Sequence, residues 1–264
     1  MTPRNRSVLR AFSILRAFHC EDGWVSVSEI GRRAGLPFAS TYRLLQTLEK
    51  TGAVERTDSG AYRLGFLFAC LSQNVNISDC LFQAARDLME DLSQRLEVST
   101  FLGRLDGSMV TFVGRVHTPN SKRKFVPVSS QSEAYSSALG RTLLAHLPED
   151  ELEEVIHDCS FVPLTPHTIT SKPQLKAELS LVRRHGFAIE CEQTYLGLGC
   201  VAVPIYDYEG RAMAAIAASE EVQKLTSQRI AHLRGQLTDL APLVRKRIIP
   251  DPDRIKMMVE AEIA

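Results

Sequence analysis

The sequence predicts an α+β protein in two parts: a small N-terminal winged helix-turn-helix, then a larger domain that mixes antiparallel strands with flanking helices. Three observations predict it. Apolar residues recur at helical spacing through the first 50 positions, then give way to two short strand-like runs around a polar turn. From about position 99 the apolar period alternates between two and 3.6, so strands and helices are interleaved. Charge divides along the chain: residues 1–65 hold nine Arg and one Lys against six acids, a net +4, and the remainder carries −4, so the total is zero. A basic head on an acidic body is the charge layout of a nucleic-acid-binding domain joined to one that binds something else.

The first helix is expected over 7–19, with Val8, Leu9, Phe12, Leu15 and Phe18 on one face. Ser26-Val27-Ser28-Glu29 has the capping-box pattern, in which the serine hydroxyl accepts the N3 amide and the glutamate reaches back to the cap amide. Val27, Ile30 and Ala34 form the apolar stripe of this second helix. Gly35 stands where a left-handed residue ends a helix. Pro37 suits the first turn of a third helix over 38–50, with Tyr42, Leu45 and Leu48 facing inward. Two helices of this size around a tight turn match a helix-turn-helix. Residues 53–56 and 61–64, joined by Thr57-Asp58-Ser59-Gly60, add the hairpin that makes it a winged variant.

Beyond the wing, 65–76 reads as a connecting helix and 79–96 as an amphipathic one, with Leu81, Ala84, Ala85, Leu88, Leu92 and Leu96 on one side. Strands are expected over 99–105, 109–116 and 124–128, the first two joined at Asp106-Gly107. Helices follow over 138–147, 150–157 and 172–185. Strands return over 187–192, 199–206 and 211–219, a long helix covers 226–247, and a loosely held tail carries Pro250 and Pro252. The domain organisation read from this is 1–65 for DNA binding, 66–78 as a linker helix, and 79–264 as a second, sensing domain.

A composition of 44% apolar and 23% charged residues suits a globular core. No run reaches the roughly 18–20 apolar residues of a spanning helix. The N-terminus has no apolar region with a cleavage site, which predicts a cytoplasmic, unprocessed chain. The cysteines Cys20, Cys70, Cys80, Cys159, Cys191 and Cys200 form no Cys-x-x-Cys pair and read as reduced, structural thiols. Histidines such as His117, His146, His157, His167 and His185 fit no metal-binding or catalytic spacing and read as scattered surface residues. No Ser or Cys lies in a nucleophile elbow. No catalytic residue, metal or cofactor is expected.

A recognition helix enters the major groove with its N-terminal residues near bases and phosphates. Phe38, Ala39, Ser40, Thr41, Arg43 and Gln46 are the candidates on this helix. Arg43 and Gln46 carry the donors for base readout. Ser40 and Thr41 suit phosphates near the helix N-terminus, as do Arg56 and Arg63 on the wing. The competing reading makes Arg43 and Gln46 solvated surface.

The head carries Ser28-Glu29-Ile30, Gly35-Leu36-Pro37, Ser40-Thr41-x-Arg43-Leu44-Leu45, Thr47-Leu48-Glu49 and Tyr62-Arg63-Leu64-Gly65. The remainder carries Ala138-Leu139-Gly140-Arg141-Thr142-Leu143-Leu144-Ala145, Gly186-Phe187-Ala188, Glu192, Gly197 and Cys200-Val201-Ala202-Val203-Pro204-Ile205-Tyr206-Asp207. This ordered set resembles the IclR family of bacterial regulators along nearly the whole chain. The resemblance implies a GAF-like second domain with a small-molecule pocket, dimers through the DNA-binding halves and often tetramers through the sensing halves. Its partners would be double-stranded operator DNA, a small organic acid and further copies of itself.

Carried over position by position, the resemblance puts Ala138, Leu139, Gly140, Glu190, Cys200, Ala217 and Ser219 at the effector. Amides near Leu139 and Gly140 would hold a ligand carboxylate, as helix N-termini do. Cys200 is either a wall of that pocket or a small buried apolar residue, and Glu190 either a pocket residue or an edge-strand charge in solvent. The family usually has Asp or Ser at the place of Glu190, often an acid at Gln193, Arg near Gln131 and Pro at Glu133. Residues 162–170 and 134–141 look most like the branch that controls aromatic-acid breakdown, which implies an aromatic or short-chain acid. An enzyme whose wing makes protein contacts lacks a catalytic constellation here, and a ligand-independent architectural DNA binder leaves the large second domain without a purpose.

Overall fold

The computed structural model of the chain describes residues 5–19, 22–117, 130–249, 251 and 257. The strand expected over 124–128, Cys20, Pro250 and Pro252 lie outside them. Two compact units emerge, one within Met1–Asn76 and one formed by Ile77–Ile249. Among the described residues no helix is long and apolar enough to cross a membrane.

In the first unit, Asn5 opens helix α1 (Arg6–Leu15) by accepting the amides of Ser7 and Val8 at 3.1 and 3.3 Å. The helix ends at Leu15, short of the expected 19. Asp22 takes the His19 amide at 2.8 Å and pairs with Arg33, and Arg33 also donates to the Ala17 carbonyl at 2.9 Å. Those bonds hold Ala17, His19 and Asp22 out of helical geometry.

Ser26 caps α2 (Val27–Ala34) by accepting the Glu29 amide at 3.3 Å. The other half of the capping box does not form. The Glu29 carboxylate instead accepts from Arg32 at 2.6 and 2.7 Å and from Arg33 at 2.8 Å, charge-assisted bonds stronger than one to an amide. Gly35 closes α2 at φ 65°, in the left-handed region that an L side chain rarely adopts. Pro37 is the cap residue of α3 (Phe38–Lys50) rather than part of its first turn. Strands β1 (Val54–Arg56) and β2 (Tyr62–Leu64) pair antiparallel as the wing. The core beneath them joins Ile14, Ile30, Leu45, Val54 and Tyr62. Helix α4 (Leu67–Ser72) is shorter than expected and buries none of its residues.

The second unit is a six-stranded antiparallel sheet in the order β5-β4-β3-β8-β7-β6. Its strands are β3 (Ser99–Asp106), β4 (Met109–Val116), β5 (Gln131–Glu133), β6 (Ala188–Cys191), β7 (Leu198–Tyr206) and β8 (Ala212–Glu221). The edge strand β5 was not expected; its three residues, with no apolar alternation, pair with β4. Side chains alternate between the faces, as the period of two requires. Cys200, Ala202, Ala215 and Ala217 face one core, shared with α6 (Ala138–Leu144), α7 (Glu149–Asp158) and α8 (Lys172–His185). Val201, Val203, Ile205, Ala214 and Ile216 face the other, shared with α5 (Ile77–Leu96) and α9 (Ser227–Ile248). Helix α6 stops at Leu144, short of the expected 147, where the amides of His146 and Leu147 turn to carbonyls three residues back.

Candidate DNA-reading surface and ligand cavity

Helix α3 has two distinct faces. Thr41 and Leu45 are fully buried. Ala39, Arg43, Gln46 and Lys50 are exposed and follow one another at three- and four-residue spacing, so they share one stripe. Among the described residues the side chains of Arg43 and Gln46 have no intramolecular partner. Phe38, 59% exposed, lies parallel to Tyr42 with ring centroids 6.3 Å apart. Ser40 is half-buried.

Thr41 corrects the expectation of a phosphate contact. Its hydroxyl donates to the Pro37 carbonyl at 3.0 Å inside the core, where no phosphate reaches. On the wing, Arg56 is exposed, with its guanidinium 6.0 Å from the Tyr42 ring and 5.8 Å from that of Tyr62. Arg63 is already engaged: it pairs with Glu55 at 2.6 Å and stacks on Trp24 at 4.5 Å.

In the second unit a cavity of about 220 Å³ opens between the sheet and the start of α6. Phe101, Phe112, Leu139, Leu198 and Tyr195 give it an apolar wall, with the two Phe rings edge to face at 5.9 Å. Ser130, Gln131, Ser132, Ser137, Thr194 and Ser219 add neutral polar groups, and Cys200 completes the floor beside Glu190. Register brings the last pairs together: Cys200 lies opposite both Glu190 and Ser219 across neighbouring strands. Among the described lining residues Glu190 is the sole charged one.

Glu190 is 4% exposed and not an edge-strand charge in solvent. One carboxylate oxygen accepts the Ala138 amide at 3.1 Å and the other accepts the Thr194 amide at 3.2 Å. Ser137 caps α6 by accepting the Gly140 amide at 3.1 Å. Of the amides near Leu139 and Gly140 expected to serve a ligand carboxylate, that of Gly140 therefore already has an acceptor from the chain, as does that of Ala138 beside them. A Cβ on Gly140 would meet the Ala134 carbonyl oxygen at 2.1 Å, so this glycine exists for close packing. Ala217 is fully buried between Phe101 and Ala202 in the sheet register. Of the seven expected effector residues, Leu139, Glu190, Cys200 and Ser219 line the cavity; Ala138, Gly140 and Ala217 lie behind its wall.

Arg141 holds this architecture from behind. It is fully buried and donates to the carbonyls of Ser136 at 3.0 Å, Tyr135 at 3.4 Å and Ile189 at 2.6 Å. Burial pulls its guanidinium below the ordinary arginine value, while Glu190 and then Glu178 act against that pull. Burial also pushes the Cys200 thiol well up, with Glu190 adding to the shift, so Cys200 is a neutral wall and a poor nucleophile. His146 departs from the expected surface position: it is half-buried and bridges the Thr142 carbonyl and the Tyr206 hydroxyl, each at 2.7 Å.

Sequence reasoning missed Phe101 and Phe112 in the cavity wall, along with Ser137, Thr194, Tyr195 and Leu198. The period-two pattern of β3 carried a signal for Phe101, since it lies beside Ala217. Thr194 and Tyr195 sit in an irregular loop, where no period exists to read.

A family model described as "IclR helix-turn-helix domain" matches residues 7–58, and one described as "Bacterial transcriptional regulator IclR C-terminal" matches residues 74–245. The HTH-type transcriptional regulator XynR of Escherichia coli strain K12 is 28% identical over 236 residues, covering 89% of this chain and 94% of its own. The HTH-type transcriptional regulator KdgR of Dickeya chrysanthemi is 30% identical over 218 residues, covering 81% and 70%. Among solved structures, an IclR homolog of Microbacterium hydrocarbonoxydans complexed with 4-hydroxybenzoate is 26% identical with a TM-score of 0.60, covering 92% of this chain and 98% of its own.

Proposed function

The chain belongs to the IclR family of bacterial transcription regulators, and on that premise we propose that a small aromatic or short-chain organic acid in the α6 cavity controls its operator binding or activity. It is a DNA-binding transcription regulator with a C-terminal effector-binding domain, and not an enzyme. The observation that carries the finer reading is the cavity itself: two aromatic rings and a set of neutral hydroxyl and amide groups around a volume of about 220 Å³. That lining suits a flat or short ligand with polar ends. The 4-hydroxybenzoate complex of a relative supports the same class.

On DNA, Arg43 and Gln46 reach base edges from the outer stripe of α3, with Phe38, Ala39 and Ser40 beside them at the helix start. Arg56 contacts phosphate. Arg63 contributes to the wing chiefly through its pairing with Glu55, and Thr41 supports the helix from within. A helix of this length reads a few base pairs, so the operator consists of two half-sites and the regulator binds as a dimer or tetramer. Val8 and Phe12 on α1 and Leu71 on α4 are large apolar residues left exposed, 50%, 55% and 52% respectively, and with the half-buried Leu67 and Phe68 they supply the contact between copies.

Calorimetry with hydroxylated benzoates and short hydroxy- and keto-acids, followed by a gel shift on the chain's own upstream DNA, tests the reading. A binder that alters the DNA complex is expected. Binding to the full chain with no change in DNA affinity, occupancy or complex geometry would refute control by that ligand.

A further inference from the structure

The reading of the cavity as an organic-acid site leaves open which end of the acid goes in. A carboxylate of the chain itself already occupies the inner end. Glu190 is 4% exposed, accepts one amide on each oxygen at 3.1 and 3.2 Å, and still lines the cavity. A carboxylate has about four lone-pair sites, so two remain for a donor arriving from the cavity. Behind it lies Arg141, fully buried, which donates to three backbone carbonyls and lies 3.9 Å from the Glu178 carboxylate. The one buried cation already faces two carboxylates, Glu190 and Glu178, so a further anion at the inner end would have no counter-charge among the described residues. Like charges in a dry site repel strongly.

Resting on the organic-acid reading above, we propose that the effector enters with an uncharged hydrogen-bond donor, a hydroxyl, directed at Glu190, and keeps its own carboxylate at the outer end near Ser130 and Ser132, the Gln131 amide there already donating to Asp106 at 2.9 Å and Thr111 at 3.1 Å. The ligand class is therefore a hydroxy-monocarboxylic acid whose two groups lie at opposite ends. Monoacids without the hydroxyl leave Glu190 short of a partner. Dicarboxylates place an anion against it. The rings of Phe101 and Phe112 lie between the two ends and accommodate the body of the ligand.

The test uses the full chain and two matched trios in calorimetry: 4-hydroxybenzoate, benzoate and benzene-1,4-dicarboxylate, then 4-hydroxybutyrate, butyrate and succinate. In whichever trio binds, the hydroxy acid is expected to exceed the plain acid by about tenfold or more, since a site built to bond a hydroxyl penalises its loss. The dicarboxylate is expected to bind weakest. Glu190→Gln, compared at a temperature where the variant is folded, should shrink the discrimination and raise the dicarboxylate toward the plain acid, whereas Glu190→Asp, which keeps the charge, should retain the order. Equal affinity for hydroxy and plain acids, or preference for a dicarboxylate, overturns the orientation and leaves the organic-acid reading intact. No binding by either trio overturns the organic-acid reading, and this inference with it.

Discussion

The outer face of α3 and the inner end of the cavity use polar residues in opposite ways. On α3, Arg43 and Gln46 point outward with no intramolecular partner among the described residues, while the neighbouring Arg32, Arg33 and Arg63 are each tied to a carboxylate. In the cavity, the polar groups hold each other: Glu190 takes the amides of Ala138 and Thr194, Ser137 takes that of Gly140, and Arg141 gathers three carbonyls. The proposed DNA surface is thus made of side chains the fold leaves free, and the proposed ligand site of side chains the fold has already positioned. Mutation should separate the two. Changes on α3 alter binding with little effect on stability, and changes behind the cavity alter stability first.

The largest effect is expected at Arg141. Replacing it with Met removes the donors to three carbonyls and the cation that faces Glu190 and Glu178, a loss of about 3–5 kcal/mol by analogy with removing one partner of a buried charge cluster. Chemical denaturation monitored by circular dichroism would show it. An unchanged midpoint would mean that α6 and β6 hold together without the guanidinium.

Gly140→Ala comes next. The new methyl group would overlap the Ala134 carbonyl oxygen, a backbone atom that cannot swing aside. Overpacking of this kind costs about 1–3 kcal/mol, and here it should also weaken ligand binding by moving Leu139. Retained ligand affinity with lowered stability would show that the cavity wall tolerates a shift of α6.

In the first unit the effects are smaller. Ser26→Ala should cost about 1 kcal/mol, the usual value of a lost helix cap. Glu29 gives a pH-dependent counterpart. Arg32 first and then Arg33 hold its carboxyl at about 2 against an ordinary 4.5. The folded-state value is depressed, so the ion pairs support the fold above pH 4.5 and that support is lost as the pH falls toward 2. Trp24, the one tryptophan of the chain, lies in this unit and reports on it by fluorescence. Glu29→Gln should flatten that part of the acid profile. An identical profile would place the acid sensitivity elsewhere.

What could be read from the sequence follows the same division. The helix-turn-helix was legible because its signals are local: Ser26 caps, Gly35 stops, Leu45 faces in and Thr57–Gly60 turns. The strands of the second unit were legible from their alternation, apart from β5, three residues whose only reason to be extended is the neighbouring β4. The inner wiring was not legible. That Glu190 reaches the Ala138 amide, 52 residues away in sequence, depends on the packing of α6 over β6. That Thr41 turns its hydroxyl inward, while Arg43 two positions later turns outward, depends on which face of α3 meets α2. Local pattern gives the element; the partner of each polar group comes from tertiary contact.

The most direct measurement is fluorescence anisotropy of the full chain with its own upstream DNA and with random DNA of equal length, comparing wild type with Arg43→Ala. Base reading by a free Arg43 predicts a loss of about 1–3 kcal/mol on the specific site, little change on random DNA, and an unaltered melting temperature. Equal discrimination between the two DNAs by wild type and variant would contradict the account.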